Sequence, residues 1–378
     1  MKSRSTTTEH AHDTLVPFQA IPPGETLLEE IEARGWTQAD FAEITGRPTQ
    51  AINEIITGKK AITPQTAIAF GNALGTSAEY WLNLESLYRL TLAKQDQSGD
   101  DLVARRSQLY SLAPVKELIK REWITVKNPR NVDELERAMC DFFEIPSPDV
   151  TPQFHADARR SSANEEMNVA HRAWFFRVKH VARKESAELY SKQKLEENIT
   201  AIRDLCRTEK ETSRVKKTLA NVGIRFVIVE HLPHTKIDGG SIWLDEKKPV
   251  VALSLRYDRI DCFWHTLMHE ISHILNEDSR VGEPIVDEEL VGGTSQERRN
   301  QVETRADRQA ADWLIPRALL NKFIEKNKPF YSTAAIAIFA VEVRAHPAIV
   351  VGQLQFLGEV PWTHFRSLLI KVKPFVVH

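Results

Sequence analysis

The sequence contains few of the residues that define several protein classes. Only three cysteines occur among 378 residues, at positions 140, 206 and 262, so neither a disulfide framework nor a cysteine-based zinc ribbon is expected. No apolar run approaches the ~20 residues that a membrane-spanning helix needs, and the polar N-terminus lacks the apolar segment of a signal peptide. There is no glycine-rich phosphate loop and no internal repeat. We therefore expect a cytoplasmic protein of two or three domains with no membrane partner.

The chain also lacks a general excess of positive charge. Its formal net charge is −2, with 7 Lys and Arg against 11 Asp and Glu over residues 1–90, and 15 against 9 over residues 159–217. An acidic N-terminal region can hold nucleic acid only if its few cations lie on one face, and it would bind weakly as a monomer. A DNA-binding function therefore has to be carried by a local pattern.

Such a pattern is present after a polar arm over residues 1–20, which we expect to be flexible. Residues 21–90 predict five short helices and so an all-α domain. Thr37 precedes a helix that Gly46 ends, and the next helix begins near Pro48 and ends before Gly58. We expect the apolar residues of this helix pair to hold it together: Phe41, Ala42, Ile44, Ile52, Ile55 and Ile56.

This helix pair has the form of a helix-turn-helix, in which the second helix places its N-terminal residues against base edges in the major groove. Gln and Asn can bind adenine through two hydrogen bonds, and Arg can bind guanine in the same way. The candidate base-reading residues are Arg47, Thr49, Gln50 and Asn53, and the candidate phosphate contacts are Gln38, Lys59 and Lys60. The alternative is a helical bundle that only binds protein, which the acidic balance favours.

The rest of the chain has a different pattern. Residues 91–150 predict a helical connector that ends in the proline-rich stretch I-P-S-P-D-V-T-P. In residues 151–378, helices are interrupted by β-branched apolar segments at 225–229 and 249–255, with a further segment between them. We predict a multidomain protein: the all-α helix-turn-helix domain is followed by a mainly helical α+β domain with a small sheet.

The segment H-T-L-M-H-E-I-S-H, residues 265–273, carries a His-Glu-x-x-His motif on a predicted helix. His269 and His273 are four residues apart and project from one face, where two imidazoles can bind one tetrahedral metal ion. Glu270 lies between them in sequence and can take a proton from water as general base. His265 is one turn earlier; it is a candidate for substrate contact, although a solvated histidine is the simpler interpretation.

A third ligand is expected from a second helix. Glu303 and Asp307 share a helical face, so Glu303 can bind the ion while Asp307 accepts a hydrogen bond from a ligand histidine. The alternative to a metal site is that the histidines and Glu270 face solvent and that Glu303 and Asp307 belong to an ordinary charged helix face. For His346, which opens an apolar segment, a structural and a functional role are equally compatible with the sequence.

Taken together, these motifs resemble two families. Residues 22–90, with T-Q-A-D-F-A, I-I-T-G-K-K-A-I-T and E-Y-W-L-N-L, resemble the Xre-type helix-turn-helix of HigA antitoxins. Residues from about 154 to 357, with W-H-T-L-M-H-E, E-T-R-A-D-R-Q-A-A-D-W-L-I-P and H-P-A-I-V-V-G, resemble the ImmA/IrrE metallopeptidase domain. Two residues depart from that pattern: Arg305 stands where relatives often have Glu, and Gln309 where Phe or a small residue is more common.

The resemblance implies a zincin-like peptidase of the gluzincin type, with Zn²⁺ bound by His269, His273 and Glu303 and with Glu270 as the base. It also implies double-stranded operator DNA as a partner, with an Xre-type repressor or a RelE-like toxin as the protein partner. We expect a homodimer on an inverted repeat. Two alternatives stay open: a toxin-neutralising antitoxin whose zinc site is structural or sensory, and a peptidase whose helical domain only recruits its substrate.

Overall fold

The structure, a computed structural model, describes residues 20–95, 100–153, 168–233, 235–278, 285–286 and 294–376. The predicted flexible arm therefore lies almost wholly outside the described residues. The chain divides into two compact units, Met1–Ala104 and Arg105–His378, each with its own apolar core. The multidomain, mainly helical organisation predicted from the sequence is confirmed.

The first unit is all-α. Its helices are α1 (Pro23–Ala33), α2 (Gln38–Thr45), α3 (Thr49–Ile56), α4 (Pro64–Leu74) and α5 (Ala78–Gln95), and α6 (Asp100–Leu112) begins at its end. The predicted helix boundaries are confirmed at several caps. Thr37 caps α2 in a capping box with Asp40, and Gly46 follows α2 with φ 63°, a left-handed conformation that glycine adopts without strain.

The core of the first unit is formed by all five helices. Leu27, Phe41, Ile52, Phe70 and Trp81 are its largest fully buried members. Five of the six apolar residues expected to join α2 to α3 contribute to this core, but the expectation for Ile44 is wrong, since 50% of it is exposed. On α2 the buried residues are Phe41 and Ala42, and position 44 lies on the other side of the helix.

The second unit contains most of α6 and eleven complete α-helices among its described residues. They are α7 (Val115–Lys120), α8 (Val132–Phe143), α9 (Val169–Ala182), α10 (Lys192–Asp204), α11 (Val215–Asn221), α12 (Ile260–Leu275), α13 (Thr294–Leu314), α14 (Arg317–Asn327), α15 (Thr333–Glu342), α16 (Pro347–Phe356) and α17 (Lys373–Val376). Three 3-10 helices span Leu205–Arg207, Lys210–Arg214 and Arg366–Leu368.

The predicted connector over residues 91–150 is divided between the two units. Its first part extends α5, whereas α7 and α8 pack into the second unit. Leu118, Met139 and Phe143 share a core with Trp174 of α9 and with Val250 of the sheet. The amphipathic α8 buries its apolar face against α9 and the sheet, so residues 105–150 belong to the second fold.

The sheet has four strands in the order β1 (Arg225–Ile228), β3 (Pro249–Leu253), β2 (Gly239–Trp243), β4 (Ile285–Val286). β3 runs parallel to β1 and antiparallel to β2, and β2 pairs antiparallel with β4. Three of these strands were predicted, whereas the two-residue β4 was not. Both faces of β2 and β3 are buried, which explains the continuous apolar sequence of β3.

Helix α12 lies at the centre of the second unit. It packs against α13, α16 and the strands β2 and β3, and all but three of its sixteen residues are buried. Polar groups on such a helix must find partners within the protein. Among the described helices, none alone is long and apolar enough to cross a membrane; α15 and α16 pass that test only together, with a 109° bend between them.

Candidate metal centre and nucleic-acid interface

Helix α12 carries three polar side chains into the interior of the second unit. His269, Glu270 and His273 have exposed fractions of 2%, 1% and 0%. Burying three ionisable groups next to one another is costly unless hydrogen bonds or a counter-charge compensate them. Their arrangement is therefore expected to serve a function and not the stability of the fold.

Three ligand atoms of the predicted centre converge. His273 Nε2 lies 2.9 Å from His269 Nε2, and Glu303 Oε2 on α13 lies 3.0 Å from His269 Nε2 and 3.5 Å from His273 Nε2. Ligand atoms of a tetrahedral zinc ion, with bonds of about 2.0–2.2 Å, lie roughly 3.3–3.6 Å apart. The three residues can thus hold one such ion with little movement.

The other nitrogen of each imidazole faces a carboxylate. His269 Nδ1 is 2.8 Å from Asp307 Oδ1, and His273 Nδ1 is 3.0 Å from Asp278 Oδ2. Because an ionised carboxylate only accepts hydrogen bonds, each Nδ1 carries a proton, so a ring in its neutral form presents its Nε2 lone pair to the centre. The orientation of both rings therefore suits metal coordination.

Two lone pairs and a carboxylate oxygen repel one another unless a positive charge lies among them. A proton can supply that charge. Burial disfavours the protonated imidazole, but hydrogen bonds to Asp278 and Glu303 outweigh it and raise the pKa of His273 to about 9. Burial likewise opposes ionisation of Glu303, yet hydrogen bonds from both histidines hold its pKa at about 2. A divalent cation would compensate all three atoms at once.

The remaining oxygen of Glu303 is consistent with a metal ligand. Among the described residues, buried Glu303 Oε1 has no hydrogen-bond partner. A buried carboxylate oxygen without a donor is expensive, and a cation bound by this carboxylate would relieve the cost. Two imidazoles and one carboxylate also form a donor set typical of zinc. The residues present fit the predicted ion.

Glu270 sits against the sheet on the side of α12 that faces β2. A methyl group built on Gly239 would lie 3.0 Å from Glu270 Oε1 and 2.6 Å from Thr266 Cγ2. Only glycine allows the strand to approach the carboxylate this closely. The strand thereby limits the positions that the Glu270 side chain can take.

Asp278 is a site residue that the sequence analysis missed. It follows α12 in an acidic segment where nothing in the sequence distinguishes it from neighbouring acids. Arg305 on α13 donates hydrogen bonds to both Asp278 oxygens. Burial raises the pKa of Asp278, but hydrogen bonds from His273 and Arg305 bring it below its usual value.

Arg305 and Gln309, the two departures noted in the sequence, join α12 to α13. Arg305 binds Asp278, and Gln309 Oε1 accepts hydrogen bonds from Ser272 Oγ at 2.7 Å and Asn276 Nδ2 at 3.1 Å. Neither residue enters the space between the three ligand atoms. The departures therefore change what supports the centre and leave its ligand set intact.

The two other histidines have separate environments. His346 caps α16, with its Nδ1 accepting a hydrogen bond from the Ala348 amide at 3.1 Å, which favours the structural interpretation. The His265 ring centroid lies 6.4 Å from that of His269, and burial lowers the pKa of His265 below its usual range. The side chain of His265 is half-buried on α12.

In the first unit, the predicted DNA-reading residues lie together on α3. Thr49, Gln50 and Asn53 are exposed near its N-terminus, while Ile52 and Ile55 on the opposite face are buried. Asn53 Nδ2 donates to Gln38 Oε1 of α2 at 3.4 Å, and Gln50 Nε2 donates to Glu54 Oε1 at 2.9 Å. The exposed amides therefore share one face with the start of α2.

Three cations of this unit lie next to α3 in sequence. Arg47 lies in the turn between α2 and α3 and is half-buried, and its Nε has no hydrogen-bond partner among the described residues. Lys59 and Lys60 are exposed just after α3, and neither forms an ion pair within the described part of the chain. These side chains remain available for anions such as phosphate groups.

Comparison with known proteins locates the first unit in a family. A helix-turn-helix family model matches residues 27–81. The virulence-associated protein I of Dichelobacter nodosus is 33% identical over 85 residues, which are 22% of this chain and 79% of that protein. The uncharacterized HTH-type transcriptional regulator YddM of Escherichia coli (strain K12) is 29% identical over 73 residues, 19% of this chain and 78% of that protein. A solved structure of the Pseudomonas aeruginosa antitoxin HigA with the higBA promoter is 30% identical and has a TM-score of 0.20. The match covers 21% of this chain and 86% of the HigA chain.

The chain therefore belongs, through its N-terminal unit, to the helix-turn-helix family. Within that class the unit is a DNA-binding module similar to an HTH-type transcriptional regulator. The family model ends at residue 81, and the curated relatives cover about a fifth of the chain. The activity of the second unit has to be inferred from its site.

Proposed function

We propose that this protein is a DNA-binding transcriptional regulator whose second unit is a zinc-dependent peptidase. The observation that carries the peptidase proposal is the convergence of His269 Nε2, His273 Nε2 and Glu303 Oε2, with both rings held through Nδ1 by carboxylates. A site built only for stability would gain more from apolar residues of the same volume. A bound metal ion would compensate the free-energy cost of burying these groups.

The residues have distinct roles in the proposed reaction. His269, His273 and Glu303 hold the ion, which when bound acts as a Lewis acid and makes water nucleophilic near neutral pH. Glu270 takes a proton from the attacking water on its carboxylate and passes one to the departing amine. Asp278 and Asp307 keep the histidine rings oriented with Nε2 toward the ion.

The DNA-binding half is proposed to act on an operator that is an inverted repeat, bound by a homodimer. Gln50 and Asn53 would read adenine and Arg47 guanine, with Thr49 beside them at the base edges. Gln38, Lys59 and Lys60 would contact phosphates, and the N-terminus of α3 adds a favourable dipole. The exposure of these amides on one face supports the proposal.

The resemblance to ImmA/IrrE proteins directs the choice of substrate. We propose a protein of the same regulatory circuit: an Xre-type repressor, a RelE-like toxin or this chain itself. Cleavage would then change transcription that the first unit controls. The second candidate is an antitoxin whose zinc site is structural or sensory, which the HigA-like first unit favours.

One substitution separates these candidates. Glu270→Gln keeps the shape of the side chain and removes the base, so an enzyme should lose about 100-fold or more in rate while retaining its zinc. Wild type, Glu270→Gln and the exposed control Glu325→Gln would be expressed in the native host, and candidate substrates followed by mass spectrometry. A fragment that appears with wild type and the control but not with Glu270→Gln establishes the peptidase.

The opposite result would reject proteolysis. If all three proteins bind one zinc ion per chain and regulate equally, and none yields a fragment, the site is sensory or structural. DNA binding is tested independently by mobility shift with the upstream region of the protein's own gene. The absence of any shifted fragment at low salt would make the first unit a protein-binding module.

A further inference from the structure

The turn that follows α3 in the first unit carries Lys59 and Lys60, the two cations proposed to contact phosphate groups. Residues 57–63 connect α3 to α4 without regular secondary structure, and both lysine side chains are exposed. Lysine has a long, flexible side chain, so a phosphate contact costs more conformational entropy when the backbone beneath it is also free. The contribution of these lysines to DNA binding therefore depends on what holds the turn.

One end of the turn is held by a buried carboxylate. Glu85 of α5 has an exposed fraction of 8%, and its Oε2 accepts a hydrogen bond from the Ile62 amide at 3.0 Å. Its Oε1 accepts a hydrogen bond from Arg89 Nε at 2.7 Å. Buried glutamates are rare unless they are paired, and here each carboxylate oxygen has its own donor. Glu85 therefore links the backbone of the turn to α5.

The other end of the turn also meets α5. Gly58 has φ 71°, and a methyl group built on it would lie 3.3 Å from Tyr88 Oη. Tyr88 follows Glu85 by three residues, so both side chains project from one side of the helix. Lys59 and Lys60 thus lie on a backbone segment that contacts α5 before and after them.

The charge of this carboxylate opposes DNA binding. A negative charge next to a phosphate-binding turn repels the DNA backbone, and the N-terminal region already has an excess of acidic residues. Arg89 offsets the charge through an ion pair, but this arginine is exposed and the pair is screened by solvent. What Glu85 offers the DNA-binding face is therefore its hydrogen bond to the turn and not its charge.

We propose that Glu85 is a positioning residue for DNA binding: it holds the Ile62 amide so that the turn presents Lys59 and Lys60 to the phosphate backbone. The inference deepens the DNA-binding half of the proposed function and rests on it. Without the carboxylate, the Ile62 amide loses its partner and the turn gains conformations. The two lysines then have to be ordered when DNA binds, which lowers the affinity. The alternative is that Glu85 only stabilises the fold of the first unit.

The test measures the DNA affinity of the full-length protein by fluorescence anisotropy at low salt. The probes are a labelled duplex from the upstream region of the protein's own gene and an unrelated duplex of equal length. Glu85→Met keeps the size of the side chain and removes the acceptor. It should weaken binding to both duplexes by about tenfold, because phosphate contacts carry no sequence information. Thermal unfolding verifies that the variant is folded, and Glu85→Ala replaces it if it is not.

Two further variants separate positioning from the change in charge. Glu85→Gln keeps an oxygen that can accept from the Ile62 amide, so it should bind both duplexes within about threefold of wild type. Glu79→Ala is the matched control: it removes the same charge from an exposed position of the same helix and should bind no more weakly than wild type. A loss of affinity that follows the loss of the acceptor, and not the loss of the charge, supports positioning.

A double-mutant cycle distinguishes positioning from a purely structural role. In protein that carries Lys59→Ala and Lys60→Ala, Glu85→Met should cause no further loss of affinity, because no lysines remain to be positioned. An equal loss in both backgrounds would overturn the proposal, as would wild-type affinity in folded Glu85→Met protein, and both results would leave DNA binding in place. If wild type binds neither duplex, DNA binding itself is rejected together with this role of Glu85.

Discussion

The two candidate sites of this protein are built on opposite principles. The candidate DNA-binding face consists of exposed or half-buried polar side chains from one short stretch, residues 38–60, supported by an apolar core on the other side of α2 and α3. The candidate metal centre consists of two buried histidines on α12 and the partly buried Glu303 on α13, which lies 30 residues after His273 in sequence. The first site therefore follows from local sequence, whereas the second depends on the packing of two helices.

This difference predicts how each site responds to mutation. Changes at the exposed face should affect binding and leave folding nearly unchanged, because surface substitutions usually alter stability by no more than ~0.5 kcal/mol. Changes at the buried centre should alter metal binding and stability together, because each removed group leaves a partner unsatisfied.

The largest effect is expected for His273→Ala. Loss of one of two imidazoles should remove most of the zinc, and the partly buried Asp278 would lose its hydrogen bond to the ring at a cost of ~1–3 kcal/mol. Elemental analysis and denaturant unfolding measure the two effects. If the zinc content equals that of wild type, another residue takes the place of His273 as ligand. The buried centre would then be less sensitive to single substitutions than its packing suggests.

The double variant Gln50→Ala, Asn53→Ala tests the exposed site. We expect each lost base contact to cost ~1–3 kcal/mol in specific DNA binding, with zinc content and unfolding unchanged. Lys59→Ala is the comparison, since it should weaken binding to all sequences and reduce the salt dependence. A large loss of stability in the double variant would show that these amides support the fold.

The residues that orient the histidines should have intermediate effects. Asp307→Ala and Asp278→Ala should each lower zinc affinity by ~10–100-fold, as measured by competition with a chelating dye. Arg305→Gln should have a smaller effect, because Asp278 keeps its contact with His273. If Asp278→Ala binds zinc as tightly as wild type, His273 is oriented by packing alone.

The smallest effect is expected at a partly exposed ion cluster in the second unit, away from both sites. Burial disfavours ionised Glu144, but hydrogen bonds from Arg183 and Lys179 hold its pKa at about 2 against a usual 4.5. Since the folded state lowers this pKa, the stabilisation is fully present above pH 4.5 and is lost as the pH falls toward 2.

Glu144→Gln should therefore destabilise the protein by ~1 kcal/mol at pH 7, after allowance for solvent screening, and by almost nothing near pH 2. Urea unfolding of both proteins at several pH values measures the difference. A difference that stays constant across this range would mean that the charge of Glu144 contributes nothing and that only its shape matters.

Much of the first unit was predictable because its signals are local. Thr37 and Gly46 determine where α2 begins and ends through hydrogen bonds and a φ angle within a few residues. The exposed residues of α3 follow from the helical period once Ile52 and Ile55 are placed inside. Ile44 could not be assigned in this way, because an apolar residue on a short helix can lie on either side of the buried face.

In the second unit, the sequence by itself determined the pair of histidines on one helical face and the charged helix that supplies Glu303 and Asp307. Only the tertiary structure decided which acid holds His273, since Asp278 reaches it through the turn after α12 and is held there by Arg305. It also decided that His346 is a cap and that β2 passes close to Glu270 through Gly239. Spacing along one helix is set by covalent geometry, whereas contacts between elements depend on packing that sequence separation does not encode.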